Sequence, residues 1–440
     1  MKRYVILTAA ALAAALTARA ALTVDGSRAI TVQAPPTTGL AEIIVVENAA
    51  GSTLAYTPAG AAGAVTWQRF SNLGGGYAQD IPSATDGMRS FITLGPDDMG
   101  YIITDGTRRT CVWVVNYAAH AYAVSGIEVE SSDCARVQLR VADPALPIHY
   151  YSVNGRREDL DRGIELSYTS LRFDESSMTY VQVPVTEMYI GLGTTVSAPV
   201  PLCDTQFTLH PDRFAAEWGI GAEVQSSTFA TEAVAAETRA EQTGRDADNE
   251  QKVEADGFGG SAPCEITFRA AVTDAAVYRR WEISSYPEFD DVSYSYDQLE
   301  FTYTFTEAGT TYVRFTADNA AGTCAYVGDT YAVAVGDSRL ECPNAFSPGT
   351  SEGVNDEWRV SYRSIISFDC HIFNRWGQEL AHLTDPSQGW DGRRGGKVVG
   401  PGVYYYVIKA RGADGKEYNL SGDINVIGSR PDSSSGPVAE

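Results

Sequence analysis

Along most of the chain, apolar residues recur at every second position, in short runs broken by Gly, Pro, Asn and Asp. That period belongs to half-buried strands, since a helix would repeat its apolar residues every three to four. TCVWVVNYA sets Cys111, Trp113, Val115 and Tyr117 on one face against Val112, Val114 and Asn116 on the other. VRFTAD sets Val313, Phe315 and Ala317 against Arg314, Thr316 and Asp318. SIISFDCHIF sets Ile366, Phe368, Cys370 and Ile372 against Ser367, Asp369 and His371. GVYYYVIKA is apolar on both faces, which predicts a central strand. Asp391-Gly392 and Asp414-Gly415 predict hairpins, and Gly377 sits where the chain must turn. The predicted fold class is all-β: several Ig-like β-sandwich domains in tandem, the last with seven strands.

Breaks in the pattern divide the chain. Residues 22–118 read as an Ig-like β domain and 119–200 as a second β module, in which NGRREDLDRG is a polar turn or loop. Residues 201–338 read as a third, Ig-like module. It is interrupted near 226–260, where eight acidic residues face three basic ones between 225 and 257 and large apolar side chains are scarce. Such a stretch buries too little surface to offset chain ordering, so a mobile acidic insertion is expected. Its alternating Asp246, Asp248 and Glu250 lack the glycine and terminal glutamate of an EF-hand loop. Residues 341–428 read as a compact terminal sandwich, and 429–440 as a disordered polar tail.

Residues 1–20 carry a short basic start, an apolar run from Val5 to Leu16 and Ala18-Arg19-Ala20, the pattern of a cleaved signal peptide. Loss of Lys2, Arg3 and Arg19 leaves 30 basic against 56 acidic residues, a net charge of −26. That field excludes nucleic acid as a partner. An exported chain can oxidise its seven cysteines, and the order Cys264, Trp281, Cys324 predicts a cross-sheet disulfide packed on a tryptophan. Cys111, Cys134, Cys203, Cys342 and Cys370 stay open, with 134–203 and 342–370 as possible pairs. No CxxC, HExxH, GxSxG or phosphate-loop pattern occurs, so no catalytic residue, metal or cofactor is expected and the chain is read as a non-enzyme.

Two resemblances follow from longer motifs. GTTYVRFTADN resembles the late strand of a PKD domain, although the usual WxFGDG element is absent. PNAFSPGTSEGVNDEW, IFNRWGQEL, GWDGRRGGK, PGVYYYVI and LSGDINVI, in that order, closely resemble the gliding motility-associated C-terminal domain, the type B sorting domain of the type IX secretion system. Matching positions are Pro343, Asn344, Phe346 and Pro348 in the entry segment, and Gly353, Val354, Asn355 and Asp356 in the following loop. Asn374, Arg375, Trp376 and Gly377 match the first Trp-Gly turn; Gly389, Trp390, Asp391, Gly392 and Lys397 match the second. Gly402, Tyr404, Tyr406 and Gly422 match the last two strands. The entry loop departs from the family's FTPNGDGVND, being one residue longer and lacking Asn-Gly-Asp.

The resemblance implies delivery to or through the outer membrane, with the type IX translocon and an outer-membrane shuttle barrel as partners. The upstream modules would then be binding, adhesion or spacer units with an unknown surface ligand. An accessory part of the secretion machinery, docking through the same domain, and a carbohydrate-binding or hydrolytic surface protein are the alternatives. Arg375 is the expected interface residue, and Trp376 and Trp390 are divided between scaffold and contact. The polar junction Gly336–Arg339 is expected to be easy to cut.

Overall fold

The computed structural model describes residues 20–59, 64–245, 247–252, 257–350 and 353–428. The expected signal peptide, apart from Ala20, and the expected tail over 429–440 lie outside the described residues. The chain is all-β in tandem domains, and it divides into two compact units. One holds the residues up to Ser170 together with Val183–Thr231; the other holds Leu171–Gln182 and the residues from Glu232 onward.

In the first unit, a four-stranded sheet (Ala21–Asp25, Thr53–Thr57, Arg89–Thr93, Ala84–Asp86) covers a six-stranded one centred on Glu42–Val46, Arg108–Asn116 and Met99–Asp105. Leu54, Tyr56, Trp67, Ile92, Val112 and Val114 fill the space between them. The buried Trp67 indole donates to Ser90 Oγ at 3.0 Å, tying one sheet to the other. The strand Arg108–Asn116 is buried on both faces: Cys111, Trp113 and Val115 belong to the core of the next module, as does Tyr117 just beyond it.

That second module runs further than its predicted end at 200. Phe207, Leu209, Phe214, Trp218 and Phe229 all pack into its core, so residues 201–231 belong to it and not to a third module. NGRREDLDRG is more than a loop. Asn154-Gly155 turns a hairpin between Ile148–Tyr151 and Arg157–Leu160. Arg162 is then carried into the interior, where its guanidinium meets Asp212, with relative exposures of 2% and 0%. An unpaired buried charge would cost several kcal/mol. Here every group is answered: Arg162 also donates to the carbonyls of Leu146 (2.9 Å) and His120 (2.7 Å). Asp212 accepts from Tyr117 Oη at 2.9 Å and caps the helix Arg213–Trp218 through the Ala215 N–H at 2.8 Å.

The second unit begins with a sandwich of two sheets. Ala236–Gln242, Cys264–Val272 and Glu300–Phe305 form one; Phe258–Gly260, Tyr331–Val335, Gly309–Asp318, Tyr278–Ser284 and Val292–Tyr296 form the other. Trp281 is fully buried against Phe268, Phe301 and Phe315, with ring centroids 5.0–5.7 Å apart. The expected Cys264–Cys324 bridge is absent. Cys264 is a buried thiol opposite Phe305, whereas Cys324, which is disulfide-bonded, follows Asp318. The ten-residue strand Gly309–Asp318 separates those two ends of the sandwich by about 30 Å, far beyond disulfide reach. An aromatic cluster takes the place of the sulfur bridge. Cys134 is the other disulfide-bonded cysteine, and Cys203 instead directs its thiol at the Thr169 carbonyl, 3.7 Å away, so the 134–203 pair is not formed. Cys342 and Cys370 also remain thiols.

The mobile insertion expected at 226–260 is largely built into the fold. Ser226 and Phe229 bond to the second module through Phe207 and Thr205. AETRAEQ (Ala236–Gln242) is an edge strand with Ala236, Thr238 and Ala240 turned inward. Residues 249–251 then lie along the terminal domain: Asn249 Nδ2 donates to the carbonyls of Val360 and Pro386, both at 2.8 Å, and Gln251 N donates to the Tyr362 carbonyl at 2.7 Å.

The terminal domain holds a five-stranded sheet, ordered Ala345–Phe346, Glu417–Val426, Gly402–Gly412, Ile365–Phe373 and Glu379–Leu383. Two short pairs complete it, Arg339–Glu341 with Ser361–Arg363 and Arg393–Arg394 with Lys397–Val398. The seven strands expected thus appear as nine among the described residues. Trp358, Phe346, Phe368, Cys370, Ile372, Trp390, Ile408 and Ile424 form its core. Ile366 departs from the predicted face. A bulge between Ile365 and Ser367 turns it onto the core of the preceding sandwich.

Candidate functional site

The sequence motifs of the terminal domain fold into two regions. In the first, nearly every matching residue serves the scaffold. Trp358 and Trp390 exchange both backbone hydrogen bonds (2.8 and 2.9 Å), and the Trp358 indole donates to the Pro343 carbonyl at 2.7 Å. Trp390 is 3% exposed and packs on Phe346 and Tyr404. Gly389 and Gly392 leave no room for a side chain: a Cβ would fall 2.5 Å from Arg359 Cγ at the first and 2.9 Å from Pro348 Cγ at the second. Asp391 accepts from the Arg393 N–H at 2.9 Å, and Lys397 is exposed in the short pair beyond. Asn344 offers its carbonyl to the backbone and side chain of Asn425.

The long entry loop is closed by Asp356. Its two carboxylate oxygens accept from Gly349 N (2.9 Å) and Gly353 N (2.6 Å), while Asn355, at φ 55°, hands its carbonyl to Ser347 N. Val354 is left 59% exposed at the rim. Tyr406 lies across Gly422 on the adjoining strand, where a Cβ would meet its Oη at 2.7 Å. Its ring packs on Trp358, and burial together with the hydrogen bond to Cys342 pushes its phenol up to about 12. Gly402 opens the same strand, and burial raises the Tyr404 phenol against the pull of nearby Arg375.

The second region is the tip of the hairpin Ile365–Phe373 / Glu379–Leu383. Asn374 organises it, its Oδ1 accepting from Trp376 N and Gln378 N, both at 3.0 Å. Gly377 closes the turn at φ 76°, a backbone other residues adopt only with strain. Arg375 and Trp376 are therefore the two positions free to point outward. Trp376 is 73% exposed with the Arg375 guanidinium 4.3 Å above its ring. Beside this tip, Val403, Tyr405 and Val407 form a half-exposed apolar stripe, with Tyr405 opposite Phe373 and Val407 opposite His371. The strand GVYYYVIKA is thus central, as its two apolar faces predict, but its outer face is uncovered in the described residues. Next to the stripe, Asp369, His371 and His382 come together, a grouping that sequence reasoning missed because it depends on strand register.

Residues 340–426 match the CHU_C type IX secretion signal domain. The match takes in all five motifs except the last residue of the fifth, Ile427, and residues 127–226 match the fibronectin type III domain, whose span includes the 201–226 segment. No curated protein matches the chain. Among solved structures, the dimeric latent PorU of Porphyromonas gingivalis is 12% identical at a TM-score of 0.15, over 70% of this chain and 32% of its own. The three N-terminal domains of the bacteriophage RB49 outer capsid protein Hoc are 10% identical at 0.21, over 70% of this chain and all of theirs. The chain thus spans about a third of the PorU chain. A type IX secretion signal domain implies export and an outer-membrane or surface location.

Proposed function

We propose that the signal domain is read by the type IX translocon, through a shuttle barrel of the outer membrane, at the Arg375–Trp376 tip. The observation that carries this reading is the division of labour within the motifs: Trp358 and Trp390 are consumed by the core, while Trp376 is held out by its neighbours Asn374 and Gly377. Exposed aromatic and arginine side chains on a rigid turn are strong interface anchors. The upstream sandwiches are then the delivered part, binding, adhesion or spacer units at the surface, and the reading assigns no reaction to the chain.

One observation favours the accessory-component reading. The junction Gly336–Arg339 is not a loose strand awaiting cleavage. Gly336 N donates to the Gly260 carbonyl at 2.9 Å, and Ser338 Oγ donates to Asp414 Oδ1 at 2.7 Å and meets Tyr418 Oη at 2.9 Å. Together with Asn249 and Gln251, these contacts bind the signal domain to the sandwich before it, as suits a domain that is kept. Deleting residues 341–428 in the native cell separates the two. A cargo would be retained inside the outer membrane while other type IX cargoes pass; a machinery part would block those as well. Normal surface appearance of the deleted protein would refute both.

A further inference from the structure

We infer that Asp369, His371 and His382 form a zinc-type divalent metal site on the outer face of the signal domain. Asp369 and His371 are alternate residues of the strand Ile365–Phe373, and His382 faces His371 directly across the hairpin. The two imidazoles lie parallel, centroids 4.2 Å apart and 9° between planes. Both turn Nε2 toward one carboxylate: His382 Nε2 is 2.6 Å from Asp369 Oδ1, and His371 Nε2 is 3.4 Å from Asp369 Oδ2. All three donor atoms lie within 4.8 Å of one another. Ligands bound at about 2.0–2.2 Å around a tetrahedral ion stand roughly 3.3 Å apart. An imidazole binds an ion in its own ring plane and the two rings now lie parallel, so one imidazole must rotate out of the stack to bring the three donors to a common ion.

His371 adds a second, independent sign. Its Nδ1 is shielded from solvent and makes no hydrogen bond, and the nearest carboxylate oxygen, Glu379 Oε2, is 3.4 Å away. A slightly closer approach of Glu379 to this nitrogen, as the ring turns to bind, would give a metal-bound histidine whose far nitrogen is oriented by a carboxylate. Glu379 is accordingly a positioning residue and not a ligand. Two imidazoles and a carboxylate suit zinc, cobalt or nickel over calcium or magnesium, which prefer oxygen throughout. The remaining histidines offer no such set. His120, His149 and His210 each meet a single carboxylate, of Asp98, Asp159 and Glu223.

The bound ion would tie together the two strands that carry the Asn374–Gly377 turn, leaving a fourth coordination position open to solvent or to a partner's side chain. The site stands whether or not the tip is read by a translocon, since its test does not involve export. Untagged full-length protein, stripped with chelator, is titrated with zinc by calorimetry and with cobalt by absorption. One ion per chain is expected, with raised thermal stability and a cobalt spectrum lacking the thiolate charge-transfer band that cysteine ligation would give. His382→Gln and Asp369→Asn should each abolish saturable binding, Glu379→Gln should weaken it about tenfold, and His210→Gln should leave it unchanged. Equal melting of all variants in chelator would show that the fold is intact. No saturable binding by the wild type, binding that survives both ligand substitutions, or a thiolate band would overturn the inference.

Discussion

Trp376 and Trp390 look alike in sequence, each standing beside a glycine in a turn, yet one is 73% exposed and the other 3%. The difference lies in what surrounds each turn. Trp390 pairs its backbone with Trp358 and faces inward, whereas Asn374 spends its side chain on the N–H groups of Trp376 and Gln378 and holds Trp376 outside the core, covered only by Arg375. Replacing a core tryptophan removes contacts and leaves a cavity, so Trp358→Ala should cost about 3–5 kcal/mol in urea unfolding. Trp376→Ala should stay within about 0.5 kcal/mol of the parent, while surface delivery falls. A large stability loss at Trp376 would return it to the scaffold. Both roles were open in the sequence, because burial of a turn residue is set by the partner strand.

At the scale of elements, the acidic stretch 226–260 is the instructive case. Its scarcity of large apolar residues argues for disorder, but AETRAEQ alternates small inward residues with outward charges, which is enough for an edge strand completed by Cys264–Val272. Composition weighs side-chain size and misses the ladder of backbone hydrogen bonds that a waiting neighbour supplies. The junction before the signal domain is another example. Gly336–Arg339 is polar and short, yet Ser338 is 9% exposed because Asp414 reaches back to it. Burial pushes the Asp414 carboxyl up, but hydrogen bonds from the Ser338 hydroxyl and the Lys416 and Ser338 N–H groups outweigh it and hold the group below its ordinary value. A depressed carboxyl stabilises above its unfolded value and loses that contribution as pH falls through the folded one. Limited proteolysis at neutral pH should therefore spare 336–339, and an acid protease should begin to cut there below about pH 4. Asp414→Ala should be cut at neutral pH; cutting of the parent at pH 7 would refute the tethered junction.

Across the whole molecule, the cysteines are used sparingly for an exported chain. Cys134 and Cys324 are disulfide-bonded, and Cys111, Cys203, Cys264, Cys342 and Cys370 carry thiols. Burial pushes Cys370 up to about 12 and raises Cys111, Cys264 and Cys342 as well, so little thiolate forms near neutral pH. A thiol-reactive dye without reductant should label these four slowly in the native protein, and five cysteines per chain after unfolding. Three or fewer after unfolding would mean a second bridge, and the Cys264–Cys324 pairing would again be open.

The period-2 pattern by itself determined the all-β class and the tandem sandwiches, because alternation and turn residues are local properties that any strand must satisfy. It also determined the signal domain, since its five motifs are rich in residues with little alternative: glycines where a Cβ would collide or the backbone turns at positive φ, and aromatics that fill one core. Tertiary structure alone decided which cysteines stay thiols, where the second module ends, which tryptophan stays outside, and that Asp369, His371 and His382 converge. Each of those depends on the register and pairing of strands far apart in the chain. A shift of one residue in register moves every side chain to the opposite face, and no local pattern records which neighbour arrives.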